Sequence, residues 1–138
     1  MEPKLIKGNC HSDERGLLFY NNDFDSAAIK RFYIVQNITV NFIRGWQGHK
    51  IEQRWFSAVS GKFKIELIKI DTWENPSKTL EKHVFYIDSE KMDVIHVPPG
   101  YISSIQSLET NAKLLVMADY LIGEIDDEFR YDIDYFNK

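Results

Sequence analysis

Short segments rich in β-branched and aromatic residues follow one another along most of the chain, and no long helical period interrupts them. That succession limits the fold more than any other feature, because flat and branched side chains pack best on a pleated surface. Residues 30–43 read as two strands joined near Gln36 and Asn37. Residues 54–59 and 63–70 read as a hairpin around Ser60-Gly61-Lys62. Within 63–70, Phe63, Ile65 and Leu67 alternate with Lys64 and Glu66, the period of a half-buried strand. The phase slips at Leu67-Ile68, where a bulge would account for it. Residues 79–86, 93–97 and 112–118 add strands, and the turn-rich stretch 71–78 is a loop. Only 124–136 has helical promise, through Ile125, Phe129 and Ile133, which predicts a short C-terminal helix with an acidic outer face. With no repeat, low-complexity tract or linker, the 138 residues form one all-β domain, a sandwich or closed barrel spanning 1–138.

Composition narrows the function classes. Nine Phe, seven Tyr and three Trp supply stacking surfaces for sugars and bases as well as β-structure. A net charge of −4 argues against a general nucleic-acid binder, which presents excess Lys and Arg to phosphates. Cys10 is the only cysteine, so no internal disulfide forms. The opening Met1-Glu2-Pro3-Lys4 carries no apolar signal region, and no run of about 18 apolar residues is present to span a bilayer. A cytoplasmic protein with neither membrane nor nucleic-acid partners is expected.

Gly45-Trp46-Gln47-Gly48-His49-Lys50-Ile51-Glu52-Gln53, closed by Gly61, resembles the first cupin motif, a glycine followed by His-x-His, an acid or amide, and a second glycine. Gln47 and His49 stand at the two histidine places and Gln53 at the acidic one. Val97-Pro98-Pro99-Gly100-Tyr101-Ile102-Ser103 resembles the second motif, Pro-x-Gly-x-x-His, with Ser103 in place of the histidine. The resemblance implies a cupin-type double-stranded β-helix, or jelly roll. Of four expected metal ligands only His49 remains, and Gln47, Gln53 and Ser103 are poor replacements, so no metal and no other cofactor is expected. Strand alternation predicts Gln47, His49, Ile51, Gln53 and Trp55 on one face, lining the interior.

Several further segments are similar to the TDP-4-keto-6-deoxyglucose 3,4-ketoisomerases. These are Asp13-Glu14-Arg15-Gly16-Leu17-Leu18, Lys30-Arg31-Phe32-Tyr33, Arg44-Gly45 with His49-Lys50, Tyr120, Arg130-Tyr131-Asp132 and Tyr135-Phe136. The TDP-4-dehydrorhamnose 3,5-epimerases share the Asp-x-Arg-Gly opening and the Arg-Gly-x-His turn. The resemblance implies a homodimer acting on a thymidine-diphosphate keto-sugar without metal. In the ketoisomerases both histidines of the central motif face the sugar. Here Gln47 replaces the first, which carries the base in the epimerases.

A 4-ketone acidifies the proton on C3, so a neutral imidazole can remove it and return it to C4 while a donor holds the enolate oxygen. His49 is the candidate base. Arg31 and Tyr33, two apart on one strand, are candidates for oxyanion and proton donation. Arg15, Arg44 and Lys50 are candidates for gripping the diphosphate, since guanidinium forks match phosphate oxygens. Gln47, Gln53, Tyr101 and Ser103 are further candidates for contact with substrate. His96 reads as structural, and His11 and His83 as surface residues. Trp46 and Trp55 read as core. Two rival readings stay open, a 3,5-epimerase and a non-catalytic cupin that binds a sugar nucleotide.

Overall fold

The computed structural model describes residues 1–136; the last two residues of the expected 1–138 domain lie outside that range. The described residues form twelve strands and no helix. One five-stranded sheet runs in the order β1 (Lys4–Ile6), β9 (Val94–Val97), β6 (Arg54–Ser60), β11 (Lys113–Ala118), β4 (Arg31–Val35). The other runs β12 (Glu128–Arg130), β5 (Ile43–His49), β10 (Tyr101–Ser107), β7 (Lys62–Lys69), β8 (Lys82–Asp88). β2 (Asn9–Asp13) and β3 (Gly16–Tyr20) pair only with each other, as a ribbon outside both sheets. Every pairing is antiparallel, so the all-β expectation holds. No helix among the described residues is long and apolar enough to cross a membrane.

The main core lies between the two five-stranded sheets, where Phe56, Ala58, Ile95, Leu114 and Val116 from one meet Phe63, Ile65, Leu67, Ile87 and Ile105 from the other. Two smaller clusters cover the outer faces. Trp46, Ile68, Ile70, Ile102 and Phe136 form one. Trp55, Val94 and Met117 form the other, against Ile6, Phe24, Ile29 and Leu115.

Several expectations need correction. The hairpin across Ser60-Gly61-Lys62 does not form, because β6 pairs with β9 and β11 while β7 pairs with β8 and β10. Gly61 instead carries the chain from one sheet to the other, at φ 74°, in a space where a Cβ would stand 2.7 Å from that of Ala112. The phase slip at Leu67-Ile68 is no bulge, since β7 keeps unbroken register with both neighbours. Leu67 faces the inter-sheet core and Ile68 the outer cluster, so this strand end is buried on both sides. Residues 38–42, expected to be strand, form a turn with Ile38 and Phe42 exposed.

The predicted C-terminal helix is absent. β12 instead takes hydrogen bonds along the free edge of β5, extended by reciprocal backbone bonds between Trp46 and Tyr131. Satisfying that strand edge outweighs the weak four-residue period of Ile125, Phe129 and Ile133. The chain then turns at 133–136, tucking Phe136 edge-on against Trp46 at a ring separation of 5.5 Å.

Candidate active site

A cavity of about 450 Å³ opens at one end of the space between the sheets, with inner walls that include Phe56, Val97, Ile105 and Val116. Register explains how the two glycine-containing motifs meet there. Ser103 on β10 sits directly opposite Gln47 on β5, and Gln47 sits opposite Arg130 on β12, so all three side chains share the inward face. His49, two residues on from Gln47, pairs across to Glu128. Ser103 Oγ donates to the Gln47 carbonyl at 3.4 Å, and Gln47 Nε2 donates to Glu128 Oε1.

At the buried end, five side chains form one hydrogen-bonded chain. His49 Nδ1 lies 2.9 Å from Asp127 Oδ1, and His49 Nε2 lies 2.8 Å from Arg54 Nη2. Arg54 also donates through Nε to Glu52 Oε2 at 2.6 Å, pairs with the same carboxylate through Nη2, and donates through Nη1 to the Tyr33 hydroxyl. A guanidinium only donates, so His49 Nε2 must accept and the ring proton sits on Nδ1, given to Asp127. Glu52 Oε2 is 3.4 Å from Nε2, but a proton on that nitrogen would face the guanidinium donor at shorter range. In this arrangement the lone pair of His49 Nε2 points at Arg54.

Asp127 is fixed from three sides. Burial raises its pKa, but the hydrogen bond from His49 and those from the backbone N–H groups of Glu52 and Ile51, at 2.8 Å each, outweigh that and hold the carboxyl below its ordinary range. Tyr101 is pushed up, chiefly by burial and then by the charges of Glu2 and Glu81, so it enters the cavity as a neutral phenol.

Seven of the ten residues singled out from the sequence line this cavity: Arg31, Tyr33, Arg44, Gln47, His49, Tyr101 and Ser103. Arg31 stacks over the Tyr33 ring at 5.1 Å, its Nε is buried without a hydrogen-bond partner, and neither it nor Arg44 has a carboxylate in ion-pair range among the described residues. Two unpaired cations beside a polar cavity suit a ligand with negative charge.

Three residues lie elsewhere. Arg15 is at the exposed tip of the β2–β3 ribbon, 2.7 Å from Asp13. Lys50 is exposed, with its ammonium 5.1 Å from the centre of the Phe129 ring. Gln53 faces the outer side of its sheet, where its amide meets Asp119 at 3.1 Å and His96 Nε2 at 2.6 Å. This corrects the expected single face for 47–55. The chain turns at Lys50-Ile51 in crossing between sheets, which resets the alternation, so Glu52, Arg54 and Phe56 point inward while Gln53 and Trp55 point out. Arg54 thus stands in the interior near where the sequence pattern put an acid.

His96 stacks on Trp55 at 5.1 Å, and burial, opposed by Asp119 and reinforced by Lys4, lowers its pKa. His11 and His83 sit 3.4 and 3.5 Å from Asp13 and Glu81, away from the cavity. No set of three or more His, Cys, Asp or Glu side chains among the described residues converges as metal ligands would. The three partners of His49 that sequence reasoning missed are Glu52, Arg54 and Asp127. Asp127 lies in the acidic stretch read as a solvated helix face.

No curated protein sequence matches the chain. Among solved structures it is similar to a variant of the 3,4-ketoisomerase QdtA from Thermoanaerobacterium thermosaccharolyticum in complex with TDP-4-keto-6-deoxyglucose, with 22% identity over 98% of this chain and 91% of that one, at a TM-score of 0.72. A 3,4-ketoisomerase from Helicobacter canadensis aligns over 99% and 96% of the two chains with 19% identity and a TM-score of 0.73. ChmJ, a 3'-monoepimerase from Streptomyces bikiniensis in complex with dTDP-quinovose, aligns over 96% and 70% with 15% identity and a TM-score of 0.73. At these identities the likeness speaks to fold. The family model described as FdtA, WxcM-like, C-terminal, matches residues 1–137, and the chain belongs to that family.

Proposed function

We propose that this protein is a sugar-nucleotide isomerase that moves the keto group of a TDP-4-keto-6-deoxyhexose between C4 and C3 without a metal, supplying deoxysugars for surface polysaccharide. The observation that carries the reading is a buried imidazole, His49, oriented by Asp127 in a cavity that also holds unpaired Arg31 and Arg44. Family membership supports it, as does the TDP-4-keto-6-deoxyglucose bound by the QdtA variant. The finer fold assignment is a cupin-type jelly roll, supported by two facing antiparallel sheets with the cavity at one end.

In this reading His49 Nε2 takes the proton from C3, the C3–H electrons form a C3–C4 double bond, and the carbonyl pair moves onto O4. A hydroxyl shuttle, for which Tyr33 is the candidate, passes the O3 proton to O4. His49 returns its proton to C4, and the ketone is left on C3. No atom is gained or lost, so the chemistry needs an acid–base group and a charge stabiliser and nothing redox-active. Arg31 is the candidate for steadying the enolate oxygen and Arg44 for the diphosphate, with Gln47, Tyr101 and Ser103 against the sugar. Arg15 belongs to this site only if a second copy contributes it, as the homodimer reading allows.

The test is His49→Asn, assayed by NMR with TDP-4-keto-6-deoxyglucose. The parent is expected to form the 3-keto isomer, and the variant to lose about 10²–10⁴-fold in kcat, the usual contribution of a general base. Equal turnover by both proteins would remove His49 from the mechanism. The likeness to ChmJ favours an epimerase as second reading. An epimerase exchanges solvent deuterium into C3, and a 3,5-epimerase into C5 as well, but neither forms a C4–H bond; deuterium at C3 and C4 alone marks the ketoisomerase. TDP-sugar binding with no exchange at any carbon would point to a non-catalytic binder.

A further inference from the structure

Arg54 is a buried cation that sequence reasoning did not assign, and its position against the base is unusual. Its Nη2 donates to the very nitrogen, His49 Nε2, that must accept the substrate proton. The nitrogen that must act as base is thus capped by a donor. Once Nε2 takes a proton, imidazolium and guanidinium face each other donor to donor, and the hydrogen bond between them can no longer exist. At the same moment negative charge appears on O4 of the substrate, two bonds away from C3, the carbon that lost its proton.

We propose that Arg54 is a further catalytic residue, which releases His49 Nε2 as that atom is protonated and transfers the freed N–H to the enediolate oxygen. The same donor serves two acceptors in turn: the imidazole lone pair before proton transfer and O4 after it. The shuttle then carries the O3 proton to O4, which leaves O4 a neutral hydroxyl and the charge on O3; when the imidazolium gives its proton to C4, that charge is taken up in the C3 ketone and Nη2 returns to Nε2. Proton transfer and oxyanion stabilisation are coupled through one hydrogen bond.

The surroundings suit this exchange. Glu52 Oε2 takes both Nε and Nη2, so the guanidinium stays anchored through Nε when Nη2 changes partner. Nη1 holds the Tyr33 hydroxyl, which keeps the proposed O3-to-O4 shuttle beside the same oxygen. All of these groups except half-buried Tyr33 are buried, and a donor aimed at developing charge is worth far more in such surroundings than in water.

This inference rests on the ketoisomerase reading but is tested partly without it. In the ligand-free protein at neutral pH, two-dimensional 1H–15N NMR of the imidazole should find His49 with its proton on Nδ1 and Nε2 unprotonated. An Nε2–H tautomer, or an imidazolium, overturns the proposal. For the chemistry, Arg54→Lys keeps the charge and loses the fork, and the double variant Glu52→Gln with Arg54→Met removes the ion pair as a unit. Each is expected to bind TDP as the parent does while kcat falls about 10²–10³-fold, the usual cost of one oxyanion donor. KM should stay within about threefold, as befits an interaction made only in the transition state. A folded, TDP-binding variant whose kcat matches the parent's removes Arg54 from catalysis. Should neither variant bind TDP, the tautomer measurement decides alone. Failure of the parent itself to isomerise TDP-4-keto-6-deoxyglucose counts against the ketoisomerase reading, whereas turnover by parent and Arg54→Lys alike counts against Arg54 only.

Discussion

Asp127 touches no substrate carbon in the proposed mechanism, yet it sets which nitrogen of His49 can act. Asp127→Asn can present its amide N–H to Nδ1, which would drive the ring proton to Nε2 and silence the base. The expected result is a fall in kcat of about 10²–10⁴-fold with TDP affinity unchanged in calorimetry; a variant with parental kcat would show that the tautomer is fixed by something else. The same carboxyl contributes to acid stability. Its folded-state pKa is depressed, so its contribution is complete above the ordinary value of 3.8 and is lost as pH falls through the folded one. Urea midpoints measured from neutral pH down to about pH 3 should therefore fall more steeply for the parent than for Asp127→Asn in the acid range. At this scale the sequence made His49, Gln47, Ser103, Arg31 and Tyr33 legible, because glycine- and proline-marked motifs and a two-residue period name the inward positions. Arg54 was hidden by the phase reset at Lys50-Ile51. Asp127 was hidden because its partner His49 lies 78 residues away, and no local pattern announces such a contact.

Among the elements, β5 is the most constrained, since it carries Gln47 and His49 inward while lying between β10 and β12. Gly48, between those two residues, faces outward in a space so tight that a Cβ would stand 2.2 Å from the Tyr101 carbonyl oxygen and 2.6 Å from the Ile102 Cα. Both are backbone of a central strand and cannot swing aside. Gly48→Ala should therefore lower stability by about 3 kcal/mol, the upper range for overpacking, and should also reduce kcat because it displaces the two flanking site residues. An unchanged urea midpoint would mean that β5 and β10 separate more easily than their register implies. The same crowding explains what the sequence concealed about elements. Leu67 and Ile68 are adjacent and both fully buried, so a strand with two covered faces looked like a broken period. β10 went unread because Ser103, Ser104, Gln106 and Ser107 dilute its apolar pattern, although it sits in the middle of a sheet. The strands on either side of Gly61 were legible as strands, but which sheet each joins depends on distant partners that propensity does not encode.

For the whole molecule, what is left uncovered bears on assembly. The β2–β3 ribbon shares no strand pairing with either sheet, and Leu17 and Leu18 are 63% and 60% exposed, while Phe32 on the edge strand β4 is 68% exposed. Single exposed apolar residues are ordinary, but a two-stranded ribbon bearing several of them has little to hold it in shape by itself. A second copy of the chain is the occupant that the homodimer reading assigns, with the ribbon of one subunit against the apolar edge of the other. Such an arrangement would also give Arg15 an anionic ligand to meet in the partner's cavity. Sedimentation should then report twice the 16.2 kDa of one chain for the parent. Leu18→Asp places an unpaired charge in that contact, a change that commonly costs several kcal/mol when buried, and should shift the protein to the mass of one chain and raise KM for the TDP-sugar. If the parent already sediments as one chain and turns over substrate, the ribbon has another role and Arg15 drops out of the site. If Leu18→Asp stays dimeric with unchanged KM, the subunits meet through a different face, and the edge of β4 becomes the next surface to charge.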